Sequence, residues 1–181
     1  MLSRMGQGVL SSSMQPIEEV RKHLLELPYV TIGRRFGGEA FFYRKRFFCH
    51  FHPTRDHFFL ETFVWNKLDE VTKQIPGVIP HPEYGNYGWT RLPIFSEKDT
   101  FSGIELVDKT YRYLRTTRRM SIQKDEFSFE SLENVRSKIR PLEFKIKESK
   151  KRMQILMQIP DTTDYDKAEK LLSKAAKMLK P

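Results

Sequence analysis

The chain has 181 residues, with 32 Lys and Arg against 23 Asp and Glu, a net charge of +9 and a pI near 9.6. Hydrophobic residues at 39% and aromatics at 13% supply enough apolar area for a packed interior, which excludes the disordered class. No apolar run approaches the roughly 20 residues that a bilayer span needs, and Cys49, the only cysteine, excludes an intramolecular disulfide and a multi-cysteine zinc site.

Residues 1–15 are expected to form a flexible leader that lacks the continuous apolar stretch of a secretory signal, and the cytoplasm is the expected location, with no membrane partner. Ile17, Val20, Leu24 and Leu27 recur at helical spacing between Pro16 and Pro28, which predicts a first helix. Strands follow at Tyr29–Ile32, Glu39–Tyr43, Arg46–His52 and His57–Val64, separated by short turn-forming segments, and together they read as an antiparallel meander. Asn66 is placed to cap a short helix reaching Gln74, and the proline- and glycine-interrupted stretch Ile75–Gly88 reads as a long loop. Trp89–Ile94 resumes extended character. Ser96 and Asp99 then resemble a cap for a helix over Glu97–Leu114, whose stripe of Phe101, Ile104, Val107, Tyr111 and Leu114 suits a sheet-facing surface. Beyond residue 120, Leu132, Val135, Ile139, Leu142, Ile146, Ser149, Met153 and Leu156 fall three and four apart, as do Tyr165, Ala168, Leu172, Ala175 and Leu179. The resulting expectation is an α+β fold. An antiparallel meander packed by helices spans 16–120, and a charged helical hairpin over 121–181, kinked or broken at Pro141, could pair with itself or with a second copy as a coiled coil.

Strand alternation points to a site. Residues two apart share a face, so His50 and His52 lie on one side of the third strand with Arg46 and Phe48, while Phe47, Cys49 and Phe51 lie on the other. A simple hairpin through Pro53–Asp56 would set His52 opposite His57, His50 opposite Phe59 and Phe48 opposite Glu61, gathering three histidines and a carboxylate on one surface. His81, in the long loop, is placed to fold over that surface, and Trp89 to line a pocket beside it. Imidazoles and a carboxylate suit acid–base work near neutral pH, with His50, His52 and His81 as the acting groups and His57, Glu61 and Trp89 in support. The same set suits a divalent metal held by His50 and His52. A His-x-His pair on a strand is also compatible with a solvated or hydrogen-bonded pair that does no chemistry. The positive charge raises a different reading, a nucleic-acid-binding module using Arg44, Lys45, Arg46, Arg115, Arg118 and Arg119.

Several of these residues carry a family resemblance. The strand Phe48-Cys49-His50-Phe51-His52, Asp56-His57 leading into an apolar strand, His81-Pro82, Gly88-Trp89-Thr90 and a helix ending Thr110-Tyr111-Arg112-Tyr113-Leu114 occur in an order that resembles the luciferase-like domain family, which includes the fungal luciferases. The resemblance spans roughly Ile17 to Leu114. It implies a small α+β domain whose histidines bind, or oxidise with dioxygen, a small organic molecule. A second, weaker resemblance is to proteins of the MmcQ/YjbR type, through the first helix, Phe36-Gly37-Gly38-Glu39-Ala40-Phe41 and Gly88-Trp89-Thr90. It implies DNA binding.

Overall fold

A computed structural model describes residues 14–160 and 162–179, so the expected leader falls outside the described residues up to residue 13. The chain divides into two units, Met1–Thr110 and Tyr111–Pro181. Among the described residues no helix is long and apolar enough to cross a membrane.

The first unit is α+β, as its periodicities predict. It comprises α1 (Met14–Glu26), β1 (Val30–Arg35), β2 (Gly38–Tyr43), β3 (Arg46–Pro53), β4 (Phe58–Phe63), α2 (Leu68–Gln74), β5 (Ile79–Pro80) and β6 (Trp89–Ile94). Helix α3 (Glu97–Thr116) runs across the boundary into the second unit. The strands form one antiparallel sheet in the order β1-β2-β3-β4-β6-β5. Two-residue turns join β1 to β2 at Phe36-Gly37 and β2 to β3 at Arg44-Lys45, and all four residues have positive φ. Left-handed backbone at both turn positions matches the twist of the flanking strands, so these hairpins close tightly.

One face of the sheet is sealed. Ile17, Val20 and Leu24 of α1 and Leu106 and Val107 of α3 are buried, as are Phe41, Phe48, Phe51, Leu60, Leu92 and Ile94 of the strands. Gly103 permits this packing: a Cβ there would stand 3.1 Å from Val20 and 3.4 Å from Leu60 and Ile94. Thr110 of α3 donates to Thr62 of β4, which in turn bonds Thr90 of β6, so a buried hydroxyl chain ties helix to sheet. At the start of α3, the Asp99 carboxylate accepts from both the backbone N–H and the hydroxyl of Ser96, so the acidic half of a capping box is present. Asn66 is not the cap expected for α2. It sits inside a 3₁₀ turn, Trp65–Lys67, that enters the helix, and no side chain caps either element.

The second unit departs from expectation. A hairpin of two long helices is replaced by β7 (Thr117–Gln123), α4 (Phe129–Lys138), β8 (Glu143–Glu148), β9 (Arg152–Gln158) and α5 (Tyr165–Met178), with an antiparallel sheet ordered β7-β9-β8. Only the second predicted helix exists as such, capped by Asp164, which accepts from the Lys167 N–H. The first is cut short: α4 ends before Pro141, which cannot donate into a continuing helix. Downstream, Phe144 and Ile146 alternate with lysines, and Met153, Ile155, Met157 and Ile159 are buried while the residues between them are partly exposed. That is strand periodicity, and the three-and-four spacing of Leu142, Ile146, Ser149, Met153 and Leu156 ran across it. Leu132, Val135, Ile155, Met157, Leu172 and Ala175 form the core between sheet and helices.

Candidate functional site

A cavity of about 560 Å³ opens on the second face of the six-stranded sheet. The segment between β5 and β6 closes one side, pinned by the His81 N–H donating to the Trp89 carbonyl and the Gly85 N–H to the His81 carbonyl. His50, His52, Glu61, His81 and Trp89 all line the cavity.

The route to this arrangement differs from the simple hairpin. In the structure His50 faces Glu61 and His52 faces Phe59, two residues from the expected register. A shift of two preserves which face each side chain occupies, so Glu61 joins the histidines and now stands directly across from His50. A bulge in β3 makes a second correction. Phe41 pairs Cys49 while Phe42 pairs Phe47, leaving Phe48 as the extra residue. Phe48 is consequently buried in the core, and Phe47 lines the cavity instead of sharing the Cys49 face.

At the cavity floor Glu61 is 2% exposed and both its oxygens are occupied. His50 Nε2 lies 2.8 Å from Oε2, while Arg91 Nε at 2.7 Å and His81 Nε2 at 3.2 Å share Oε1. Burial pushes the Glu61 carboxyl up, but hydrogen bonds and charge from His50 and Arg91 outweigh it and hold the pKa below the usual carboxylate value. Glu61 is therefore ionised at neutral pH.

His81 is buried, and its Nδ1 accepts from the backbone N–H groups of Glu83 and Tyr84, both at 3.1 Å. A proton on Nδ1 would oppose both donors, so the ring is held neutral with its hydrogen on Nε2. Burial lowers its pKa, the Glu61 charge opposes this, and Arg91 adds to the lowering. A histidine with a depressed folded pKa contributes stability above its ordinary value of 6.5, and that contribution is lost as the pH falls below it. Acidification from about pH 7.5 to about 5.5, where Glu61 stays ionised, should lower unfolding free energy by up to about 1 kcal/mol more in the wild type than in His81→Asn. The Asn side chain keeps an acceptor for the loop and cannot titrate. Urea unfolding at the two pH values checks this, and equal slopes in both proteins would remove the assignment.

His50 carries the distinctive chemistry. Its Nε2 meets the Glu61 carboxylate, and its other ring nitrogen, Nδ1, is buried with no hydrogen-bond partner. The ring is surrounded by Phe36, Phe47, His52 and Trp89 at centroid distances of 5.6, 5.7, 6.3 and 6.0 Å. His52 is half-buried and makes no hydrogen bond to a described residue. Phe36 stands at the cavity mouth, 70% exposed, with a φ of 51° that is costly for a bulky side chain. Arg35 lies beside it with its guanidinium 5.0 Å from the Phe47 ring.

One ligand atom each from His50, His52 and Glu61 can be chosen within 4.8 Å of the others, the donor set of a two-histidine, one-carboxylate metal site. Arg91 weighs against that use: its guanidinium already neutralises the carboxylate a dication would need, and the two charges would compete. The side chains form a hydrogen-bonded network centred on Glu61.

Other predicted residues lie elsewhere. His57 does not line the cavity, which corrects its expected ligand-binding place. It sits in the β3–β4 connection, bonded through Nδ1 to Thr54 Oγ1 at 3.0 Å, tilted against Phe95 and edge-on to Phe59. Arg115, expected on a nucleic-acid surface, is 8% exposed and ion-paired with Asp166 and Glu169. Arg44 lies over the Tyr29 ring and Arg46 over Tyr43, while Lys45 is exposed at the turn. Arg118 donates to Ser173 and Arg119 to Gln154.

Sequence reading missed Arg91, Arg35, Phe36 and Tyr84, all of which line the cavity. Arg91 carried a signal: two residues after Trp89 in an otherwise apolar strand, it had to share that side chain's face. Its partner followed from a β4–β6 pairing that sequence alone does not specify, in which Glu61 stands opposite Arg91. In comparisons with known proteins, no family model, no curated protein and no solved structure matches this chain.

Proposed function

We propose that the first unit binds a small planar organic molecule in this cavity and removes a proton from it, with His50 as the general base. The observation that carries the reading is the buried, unpartnered His50 Nδ1 backed by an ionised Glu61 on the opposite ring nitrogen. A carboxylate on one imidazole nitrogen fixes the tautomer and stabilises the imidazolium that forms when the other nitrogen takes a proton. Arg91 and His81 hold Glu61 in place and do not themselves reach for the proton. The aromatic walls, Phe36, Phe47, Tyr84 and Trp89, favour a flat ligand, and His52 is the second imidazole within reach. Proton removal from a phenol or enol is also the step with which the oxidative chemistry implied by the luciferase-like resemblance would begin.

The test is a titration with a panel of planar phenols and enols, followed by Trp emission and by the absorbance of the ligand anion. Bound ligand should ionise at lower pH than free ligand, and Trp89→Phe should remove the emission change. His50→Asn should keep binding within a few-fold while any turnover falls by about 10²-fold or more. Absence of binding across the panel, or an ionisation shift unchanged in His50→Asn, would overturn the reading.

A further inference from the structure

The positive charge of the chain is not spread evenly. Residues 1–110 hold 14 Lys and Arg against 13 Asp and Glu, whereas residues 111–181 hold 18 against 10, so the second unit carries +8 of the net +9. Part of this charge is organised by the β7-β9-β8 sheet. Its inner face packs on α4 and α5 through Ile122, Ile155 and Met157. Register then sets the outer face in rows: Arg119, Leu156 and Lys145 stand side by side, then Ser121, Gln154 and Lys147, then Gln123 and Arg152.

Arg119, Lys145, Lys147 and Arg152 are exposed, and none of them forms an ion pair with a described residue. The β8–β9 turn adds Lys150 and Lys151. Among the described residues of this face Glu143 is the one carboxylate, and it lies at the end away from the turn. Like charges so placed repel one another and lower the stability of the folded unit, a cost that a polyanion would offset.

We infer that the outer face of the β7-β9-β8 sheet binds the phosphate backbone of nucleic acid. The cations are fixed on a sheet, Lys145 and Lys147 about 7 Å apart along β8 and Arg119 and Lys145 about 10 Å apart across β9, so they present a rigid array to a repeating anion. Gln123, Gln154 and Ser121 lie between them and supply the neutral hydrogen-bond partners that commonly accompany Lys and Arg at phosphates and sugars. An acidic membrane surface fits less well, because the half-buried Leu156 is the only large apolar side chain in these rows and nothing there would insert among lipid tails. The rows also lack an aromatic ring on which a base could stack, so recognition runs through the backbone and not the sequence. This proposal is independent of the cavity in the first unit.

Fluorescence anisotropy of the full chain with labelled 20-base-pair duplexes of DNA and of RNA, from about 50 to 200 mM salt, tests it. The wild type should bind duplexes of unrelated sequence with similar affinity, and binding should weaken steeply with salt. Lys145→Gln/Lys147→Gln/Arg152→Gln should weaken binding at least tenfold at low salt and reduce the slope of log affinity against log salt by about 2 to 3. Lys170→Gln/Lys174→Gln/Lys177→Gln, on the exposed side of α5, serves as the matched charge control and should change affinity less than twofold. No binding at low salt, an equal loss in the α5 variant, or tighter association with phosphatidylserine-containing vesicles than with either duplex would overturn the assignment. Circular dichroism of both triple variants should match the wild type, since every substituted side chain is exposed.

Discussion

Glu61→Gln is expected to destabilise the first unit by about 3 to 4 kcal/mol, because it removes one member of a buried charge network and leaves the others in place. The amide is nearly the size of the carboxylate, so the loss is electrostatic and not a cavity effect. Arg91 would face a neutral group, and the amide nitrogen would have to point toward either the Arg91 guanidinium or the His50 N–H, donor against donor. Trp65 and Trp89 are the two tryptophans of the chain, and both belong to the first unit, so urea unfolding followed by Trp emission reports on that unit by itself. A loss below about 1 kcal/mol would mean that the network contributes little. Arg91→Met combined with Glu61→Gln should cost less than the sum of the single changes, since the two side chains share one interaction. The variant also tests the proposed function: if His50 acts as the base, loss of the carboxylate that orients its ring should lower proton removal even where ligand still binds.

The second large effect is expected at Gly88, where Ala should cost about 3 kcal/mol. Its φ is +91°, a region L side chains rarely enter, and an added Cβ would be driven into the Trp65 backbone. The backbone cannot simply yield, since the Gly88 carbonyl accepts from the Val64 N–H at 2.8 Å and its N–H donates to the Gly85 carbonyl. Gly88 therefore ends the 3₁₀ turn Gly85–Tyr87 and sets the path of the chain into Trp89 and Arg91. Gly88→Ala should disturb the cavity as well as lower stability. Trp emission in the folded state should shift in this variant, and near-wild-type unfolding would show that the contact is relieved cheaply. This also supplies a physical reason for the Gly88-Trp89-Thr90 run: the glycine permits the close approach, Trp89 lines the cavity and Thr90 is buried in the hydroxyl chain with Thr62.

Local pattern carried most of the first unit. Alternation and turn residues located β1 to β4, and the apolar spacing of Ile17, Val20 and Leu24 located α1, because each element is amphipathic on its own period. The gathering of His50, His52 and Glu61 on one surface was legible for the same reason, and an error of two in the register did not disturb it. What stayed hidden depended on contacts distant in sequence. The Glu61–Arg91 pair spans thirty residues and rests on β4 and β6 being neighbours. The place of Phe47 rests on a bulge, which nothing in Arg46–Phe51 announces. In the second unit the misreading was one of period. Leu142, Ile146, Met153 and Leu156 satisfied a helical template while Met153, Ile155, Met157 and Ile159 satisfied a strand template better, and Pro141 should have decided between them.

The β3 bulge has a consequence for what a substitution in this strand touches. Because Phe48 is inserted between two frames of alternation, the stretch before it and the stretch after it answer to different neighbours: Phe47 packs among Phe36, His50 and Trp89 at the cavity, while Phe48 is fully buried in the core. A substitution at 47 therefore changes the cavity wall, and with it any ligand preference under the proposed function, without touching the buried interior. The bulge thus gives two consecutive residues of one strand opposite surroundings, cavity and core.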